Sequence, residues 1–238
     1  MIAAERLAEL TTEWALPDDS TRALAALLEC VAADPAAPTT VTEPREAVDV
    51  HIADSLSALR FPALRSAHLV ADLGSGAGFP GLALAAALPD AKFVLIESQR
   101  RKCAFLEAAV TAAGLRNVQI ENTRAELWRG GMGSAQIVTA RAVAARPVVL
   151  EYAAPLLQLG GSLIDWRGRI EPGEAAASRA AAAQLGLELV EELNAAPWPA
   201  ARDHMLARFE KVAATPERFP RREGIARKRP LGGVPGSR

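Results

Sequence analysis

The sequence predicts an α/β fold in which a mostly parallel sheet of seven strands is covered by helices on both faces. From His68 onward, short apolar segments alternate with Ala/Leu-rich segments of helical length. This βαβα order is typical of parallel sheets that are buried on both faces. One strand-to-helix junction, residues 74–81, also holds four glycines. Half of the 238 residues are hydrophobic, so the chain can bury a core of the size that such a fold needs.

Three amphipathic helices are predicted before the first strand. Leucines and a tryptophan share one helical face over residues 3–14, and a second helix lies between Pro17 and Pro35. A third helix, residues 44–59, carries apolar side chains at a spacing of three to four. We expect these helices to form an N-terminal extension, residues 1–62, that packs on the main domain.

The main domain, residues 63–215, is predicted to contain every strand. Strands are predicted at residues 69–73, 93–96, 118–120, 136–140, 161–166, 187–193 and 204–209. Helices are predicted at residues 81–88, 98–113 with Ser98 as the N-cap, 147–159 and 173–185. Only a loop separates the last two strands, so we expect them to be antiparallel. Residues 216–238 are basic and, beyond Pro220, rich in Pro and Gly, which predicts a flexible tail.

The glycine-rich turn after the first strand is the strongest candidate binding site. A strand, a glycine turn and a helix together present backbone N–H groups to a polar or anionic ligand, although such turns also serve as plain connections. Asp72 lies two residues before the first glycine. Its carboxylate would repel the pyrophosphate of a nicotinamide or flavin cofactor, but would favour the ammonium and sulfonium groups of S-adenosylmethionine. The sequence therefore favours a methyl donor over a dinucleotide.

Three charged residues, Asp72, Glu97 and Arg141, each end or follow a predicted strand, so we expect them at one rim of the sheet. Glu97 is placed to accept hydrogen bonds from the donor's ribose, and the alternative is an acidic helix start. Ala125 and Glu126, after the third strand, are placed to border the adenine. Arg141 could pair with Asp72, with the donor's carboxylate or with an RNA phosphate.

Few other residues suggest chemistry. His51 and Asp54 lie three residues apart on one helical face, which fits either a general-base dyad or a structural hydrogen bond. The sequence contains no Ser-His-Asp arrangement, metal-ligand cluster or phosphate loop that we recognise. Cys30 and Cys103 are far apart, and we expect small buried side chains there and no disulfide or metal ligand.

The net charge of −1 hides an asymmetry along the chain. Residues 1–50 carry a net charge of −7, whereas residues 200–238 carry +6. The basic end favours a nucleic-acid partner, and a solvated tail is the alternative. No apolar run reaches the ~18 residues of a membrane span, and the N-terminus lacks a basic region followed by a hydrophobic one. We therefore expect a cytoplasmic protein with no membrane partner.

Several motifs resemble those of the ribosomal RNA small-subunit methyltransferase G family, also called glucose-inhibited division protein B. The resemblance covers about residues 40–232 and is most specific in the His-x-x-Asp-Ser segment and in the glycine segment that ends in Phe-Pro-Gly. The motifs are His-Ile-Ala-Asp-Ser-Leu at 51–56, Asp-Leu-Gly-Ser-Gly-Ala-Gly-Phe-Pro-Gly at 72–81, Leu-Ile-Glu-Ser at 95–98, Arg-Ala-Glu at 124–126, Thr-Ala-Arg-Ala at 139–142, and the tail segments 220–224 and 228–231.

The resemblance implies a class I (Rossmann-like) methyltransferase fold and methyl transfer from S-adenosylmethionine to N7 of a guanine in 16S ribosomal RNA, either as RNA or in the assembling small subunit. It implies that the donor is held by Gly74, Phe79, Ala125, Glu126 and Arg141, with Glu97 at the ribose. We add the rest of the turn to this site: Asp72, Ser75, Gly76 and Gly78. The expected RNA-binding residues are Arg100, Arg101, Arg167, Arg221, Arg222, Lys228 and Arg229. His51, Asp54 and Arg141 are expected near the acceptor.

The implied reaction needs no catalytic base, because N7 of guanine carries a free lone pair and no proton. Catalysis can then rest on proximity and orientation. Val50, the segment Pro38-Thr39-Thr40 and Arg167 depart from the family pattern on the side expected to face RNA. Two alternatives remain open: a methyltransferase for another RNA position or a small molecule, and a non-catalytic RNA-binding module that kept the fold.

Overall fold

A computed structural model describes residues 2–168, 171–199, 201 and 203–233. A single seven-stranded sheet has the order β3-β2-β1-β4-β5-β7-β6. Strands β1 to β5 are parallel, and β7 runs antiparallel to both β5 and β6. The predicted sheet and its antiparallel final pair are thus confirmed. The strands are β1 (Leu69–Leu73), β2 (Lys92–Glu97), β3 (Val118–Asn122), β4 (Ala135–Arg141), β5 (Leu157–Arg167), β6 (Leu187–Asn194) and β7 (Met205–Lys211).

Helices cover both faces of this sheet and create two hydrophobic cores. Successive strand residues alternate between the cores, so Val70 lies in the first and Ala71 in the second. The first core includes α1, α2, α6 and α7, and the second includes α8, α9 and α10. The helices are α1 (Ile2–Glu13), α2 (Ser20–Ala33), α3 (Pro44–Ala47), α4 (Asp54–Leu56), α5 (Pro62–Arg65), α6 (Gly81–Ala87), α7 (Arg100–Ala113), α8 (Arg146–Ala153), α9 (Pro172–Leu185) and α10 (Ile225–Lys228).

The third predicted helix is irregular. A π-helical turn (Val48–Ala53) separates α3 from α4, and a 3₁₀ segment (Ser57–Arg60) follows. The carbonyl oxygen of Asp54 accepts hydrogen bonds from Ser57 Oγ and, at 3.0 Å, from Trp166 Nε1. These side-chain donors compete with the regular helical ladder at this point. The change to a 3₁₀ segment after Asp54 therefore follows from side-chain contacts that the periodicity of the segment does not reveal.

Two helix ends also differ from the prediction. Helix α8 ends at Ala153, well before the predicted residue 159, because β5 already begins at Leu157 beside Ala135. Helix α7 is not capped by Ser98. The carboxylate of Glu97 accepts the N–H of Gln99 at 2.8 Å and thereby serves the start of this helix.

The C-terminal segment packs against the domain over its described residues, whereas the sequence predicts a flexible tail. Phe219 and Ala226 are buried in the second core. The Arg221 guanidinium forms an ion pair with Glu151, whose side chain is only 1% exposed. A buried carboxylate needs such a countercharge, and this need explains the ordered packing. Residues 234–238 of the predicted tail lie outside the described residues.

Candidate functional site

The β1–α6 turn can be built only with glycine at two of its positions. Gly78 has φ of +94°, and a Cβ there would lie 2.3 Å from Leu82 Cδ1. A Cβ on Gly81 would lie 2.8 Å from Asp72 Oδ2. Ser75, also buried, donates its hydroxyl to the Asp72 carbonyl oxygen. The turn is therefore wrapped tightly around Asp72.

Asp72 is fully buried at the carboxyl end of β1. Its Oδ1 accepts a hydrogen bond of 2.7 Å from Thr139 Oγ1, whereas Oδ2 has no partner among the described residues. Burial raises the pKa of this carboxyl to about 6, against the opposing effects of the Thr139 and Ser75 hydroxyl groups, the Arg141 charge and the nearby N–H of Gly81. An oxygen that is buried and unpartnered is costly, and a cationic ligand group would satisfy it.

Glu97 joins the glycine turn to helix α7. The N–H of Gly76 donates to Oε2 at 3.1 Å, and the N–H of Gln99 donates to Oε1 at 2.8 Å. Asn122 donates to the Glu97 carbonyl oxygen at 3.0 Å, a contact that the sequence analysis missed. Ser98 Oγ also lies 3.5 Å from Oε1, so Oε2 is the oxygen that can accept a second hydrogen bond. Glu97 thus retains capacity for ribose hydroxyls while it supports the turn.

A cleft lies beyond the carboxyl ends of β1, β2, β3 and β4. It brings together predicted donor residues from two motifs, Gly74 from the glycine turn and Ala125 with Glu126 from the segment after β3. It also includes Tyr152 and Arg227, neither of which the sequence analysis placed at the donor. Its remaining lining residues are Leu73, Ile96, Ser98, Thr123, Arg124 and Val143.

His51 supports the glycine turn and does not form the considered dyad with Asp54. Its ring stacks on Phe79 with centroids 4.5 Å apart and planes 4° apart, and its Nε2 lies 2.9 Å from the Val41 carbonyl oxygen. Thr39, in one of the segments that depart from the family pattern, lies 3.3 Å from the same nitrogen. Burial lowers the pKa of His51. A buried, stacked imidazole of this kind is a positioning group for Phe79.

Arg141 pairs with Asp54, and not with Asp72 as one of the expectations had it. Its Nη1 donates to Asp54 Oδ2 at 2.8 Å and to the Val50 carbonyl oxygen at 2.9 Å. His204 Nδ1 lies 3.1 Å from Asp54 Oδ1, and this hydrogen bond raises the pKa of His204. Nothing in the sequence links His204 to Asp54, because 150 residues separate them. Only the antiparallel return of β7 places them together.

A second cavity surrounds this ion-pair cluster. Trp166 and Arg167, at the end of β5, contribute to its wall together with Arg141 and His204. Arg167 is held by Asp165 at 2.9 Å, so its guanidinium is partly committed within the protein. The other lining residues are Val50, Asp54, Ala142 and Gly168.

The candidate RNA-binding residues fall into two groups. Arg167 and Arg221 are held in internal ion pairs with Asp165 and Glu151. The others are exposed, and their role in RNA binding stays a prediction. The exposed group is Arg100, Arg101, Arg222, Lys228 and Arg229.

The described residues contain neither a metal-ligand cluster nor a membrane-spanning helix. No three His, Cys, Asp or Glu side chains among them are grouped so that they could hold a metal ion. None of the helices in this part of the chain is long and apolar enough to cross a membrane.

The sheet order and the cleft define a class I methyltransferase fold, in which ligands bind beyond the carboxyl ends of the strands. A solved structure described as a SAM-dependent methyltransferase from Aquifex aeolicus has the same fold. It superimposes with a TM-score of 0.55 at 16% identity and covers 70% of this chain and 93% of its own.

The family follows from sequence comparison. The family model for rRNA small subunit methyltransferase G matches residues 34–196. Ribosomal RNA small subunit methyltransferase G of Rubrobacter xylanophilus is 40% identical over 197 residues, which are 80% of this chain and 76% of the relative. The protein of that name from Syntrophomonas wolfei subsp. wolfei is 40% identical over 186 residues, 77% of this chain and 86% of the relative. The chain belongs to the rRNA small subunit methyltransferase G family.

Proposed function

We propose that this protein transfers a methyl group from S-adenosylmethionine to N7 of a guanine in small-subunit ribosomal RNA. The observation that carries the proposal is the buried, unpartnered Oδ2 of Asp72 beneath the glycine turn. Membership of the rRNA small subunit methyltransferase G family supports the RNA substrate. Because that substrate is ribosomal RNA, we place the activity in the cytoplasm.

The donor half of the site fits a ligand that is cationic at one end. Asp72 would compensate the positive charge of the donor's methionine portion, and the backbone of Gly74 and Gly76 would border that portion. Glu97 would accept hydrogen bonds from the ribose, and Ala125 with Glu126 would border the adenine. When bound, the donor supplies an electrophilic methyl group. The chain's own residues then bind and orient the reactants.

The acceptor half is the cavity around Asp54 and Arg141. Its cationic side chains suit a nucleotide phosphate, and Trp166 offers an aromatic edge to a base. The Arg141 guanidinium carbon also lies 6.0 Å from the centroid of the Phe79 ring. The proposed acceptor cavity is therefore directly connected to the glycine turn on which the donor would bind.

Among the described residues of the proposed acceptor cavity, Asp54 is not free to act as a general base. Both carboxylate oxygens of Asp54 are engaged, one by Arg141 and the other by His204. The ring of His51 is buried against Phe79. N7 of guanine needs no deprotonation, so this arrangement suits the proposed acceptor. The residues can accelerate the reaction by holding N7 in line with the transferable methyl group.

The direct test is to incubate the protein with donor labelled on the transferable methyl group and with small subunits, or free 16S RNA, from a host that lacks the enzyme. We expect label at one guanine, with strand scission at that position after treatment that cleaves at N7-methylguanine. Asp72→Asn serves as the control with impaired donor binding. Label at another base or in a small molecule would replace the proposed acceptor. Donor binding without any transfer would indicate a non-catalytic module.

A further inference from the structure

A segment near the C-terminus crosses the donor cleft. We name residues 220–230 the C-terminal strap. The N–H of Gly224 donates to Glu126 Oε1 at 3.2 Å, and Arg227 Nη2 donates to the Val143 carbonyl oxygen at 2.9 Å. Glu126 follows β3, whereas Val143 follows β4. The strap therefore bridges two walls of the cleft.

Ion pairs fix the strap at this place. Arg221 donates through Nε to both carboxylate oxygens of the buried Glu151, at 2.8 and 3.0 Å. Its Nη2 donates to the carbonyl oxygen of Arg229 at 2.9 Å, which closes the strap on itself. Glu223 also lies 2.8 Å from Arg124 Nε. Bidentate pairs to a buried carboxylate give directional anchoring, so the path of the strap is set by the domain beneath it.

Tyr152 lies under the strap with an unused hydroxyl group. Its side chain lines the cleft beside Gly74 and Ile96, and the residue is 5% exposed. Its phenolic oxygen is buried and has no hydrogen-bond partner among the described residues. Burial, and then the negative charge of Glu126, raise the pKa of this phenol, whereas the neighbouring Arg227 guanidinium opposes that shift. A buried hydroxyl without a partner is uncommon, and a ligand in the cleft would supply one.

We propose that Tyr152 and Arg227 bind the adenosine half of the methyl donor, with the C-terminal strap as one wall of the donor site. This inference rests on the proposed function. Both side chains line the cleft together with Ala125 and Glu126, the residues placed at the adenine. The Tyr152 hydroxyl would hydrogen bond a polar atom of the adenosine. The planar guanidinium of Arg227 would lie against the adenine.

This assignment changes what the basic tail does. From the sequence, Arg221, Arg222 and Arg229 of the tail are expected to contact RNA. In the structure Arg227 is a cleft residue and Arg221 is an internal anchor. The outward charges of the strap, Arg222 and Lys228 among them, stay available for RNA.

Calorimetry with S-adenosylmethionine and with adenosine tests the proposal on the full-length protein. Tyr152→Phe removes only the hydroxyl group and keeps the aromatic ring. It should weaken the binding of both ligands about fivefold through loss of a hydrogen bond. Arg227→Ala should weaken both ligands about tenfold. Lys228→Ala, the matched control on the same short helix, should leave both affinities unchanged. Thermal melting of each variant verifies the fold.

The outcomes separate this inference from the function beneath it. If Tyr152→Phe and Arg227→Ala both bind S-adenosylmethionine and adenosine as tightly as the parent protein, the inference is overturned and the proposed function stays intact. Loss of RNA binding in Arg227→Ala at an unchanged donor affinity would overturn the inference for this arginine and assign it to RNA binding. A parent protein that binds no S-adenosylmethionine would instead refute the proposed function.

Discussion

Replacing Asp72 with Asn removes the charge that this fold buries beneath its glycine turn. The pKa of the carboxyl is about 6 in the folded protein and 3.8 in the absence of the fold. At about 1.36 kcal/mol per pKa unit, ionised Asp72 costs the donor-free protein about 3 kcal/mol of stability near neutral pH. Because the folded pKa is the higher one, this cost is absent below the unfolded pKa, develops as pH rises from 3.8 to about 6, and is complete above that range.

Urea unfolding of parent and Asp72→Asn without donor, at several values between about pH 4 and 7, measures this effect. The amide introduces its own packing and hydrogen-bond cost beside Gly81, but that cost does not vary with pH. The stability of the parent relative to the variant should therefore fall by up to about 3 kcal/mol between those limits. A difference that stays constant with pH would refute the reasoning, since it would mean that Asp72 does not change ionisation over this range.

The same variant tests whether the negative charge of Asp72 contributes to donor binding. Asp72→Asn should weaken S-adenosylmethionine binding at least about tenfold, roughly 1.4 kcal/mol, because the donor loses an opposite charge in a desolvated site. Adenosine has no cationic portion and should bind parent and variant alike. Equal losses for both ligands would instead show that Asp72 supports the turn structurally. Unchanged binding of both would show that the donor does not lie against this turn.

Three further predictions concern other parts of the site. Glu97→Ala should weaken donor binding by roughly 1.5–3 kcal/mol. It should also lower the free energy of unfolding, since two backbone N–H groups lose their acceptor. An unchanged calorimetric affinity would remove Glu97 from the donor site. His204, whose pKa Asp54 raises from 6.5, contributes stability that is lost as pH rises through the folded pKa, so His204→Gln should flatten the pH dependence of urea unfolding between about pH 6 and 8. Replacing Arg100 and Arg101 with Ala should lower the salt slope of RNA binding by about one for each phosphate contact, and a slope equal to the parent's would exclude both residues.

Much of the sheet and of the donor half could be predicted from local pattern. The strand, glycine turn and helix around Asp72 fall within one continuous segment, so their spacing predicts the turn, and the charge of Asp72 favours a cationic ligand there. Residues at strand ends, such as Glu97, could be placed because parallel strands end at one edge of the sheet. Both features are encoded in the order of the strands along the chain and in the spacing of their apolar residues.

The acceptor half could not be predicted in the same way, because its contacts are long-range. The Asp54 carboxylate contacts Arg141 of β4 and His204, which directly precedes β7. Trp166 donates a hydrogen bond to the Asp54 carbonyl oxygen. No local spacing encodes these pairs. Helical periodicity instead suggested that His51 would pair with Asp54, whereas the packing of the His51 ring on Phe79 took precedence. The prediction of a flexible tail missed its packing for a related reason, since the buried Glu151 that binds Arg221 lies 70 residues away in the sequence.

Arg141 joins the two halves of the site, and this position explains why one arginine could be assigned to three partners from sequence. Its guanidinium is fixed by Asp54 in the acceptor cavity, while its carbon centre lies 6.0 Å from the Phe79 ring at the end of the glycine turn. The ring of Phe79 is held from the other direction by the stacked His51. Asp54 and His51 belong to the same irregular helical stretch, so its π-helical turn sets the position of the acceptor ion pair and of the donor turn together. In the proposed reaction, which needs no general base, the alignment of acceptor and donor would therefore depend on this one short helical stretch.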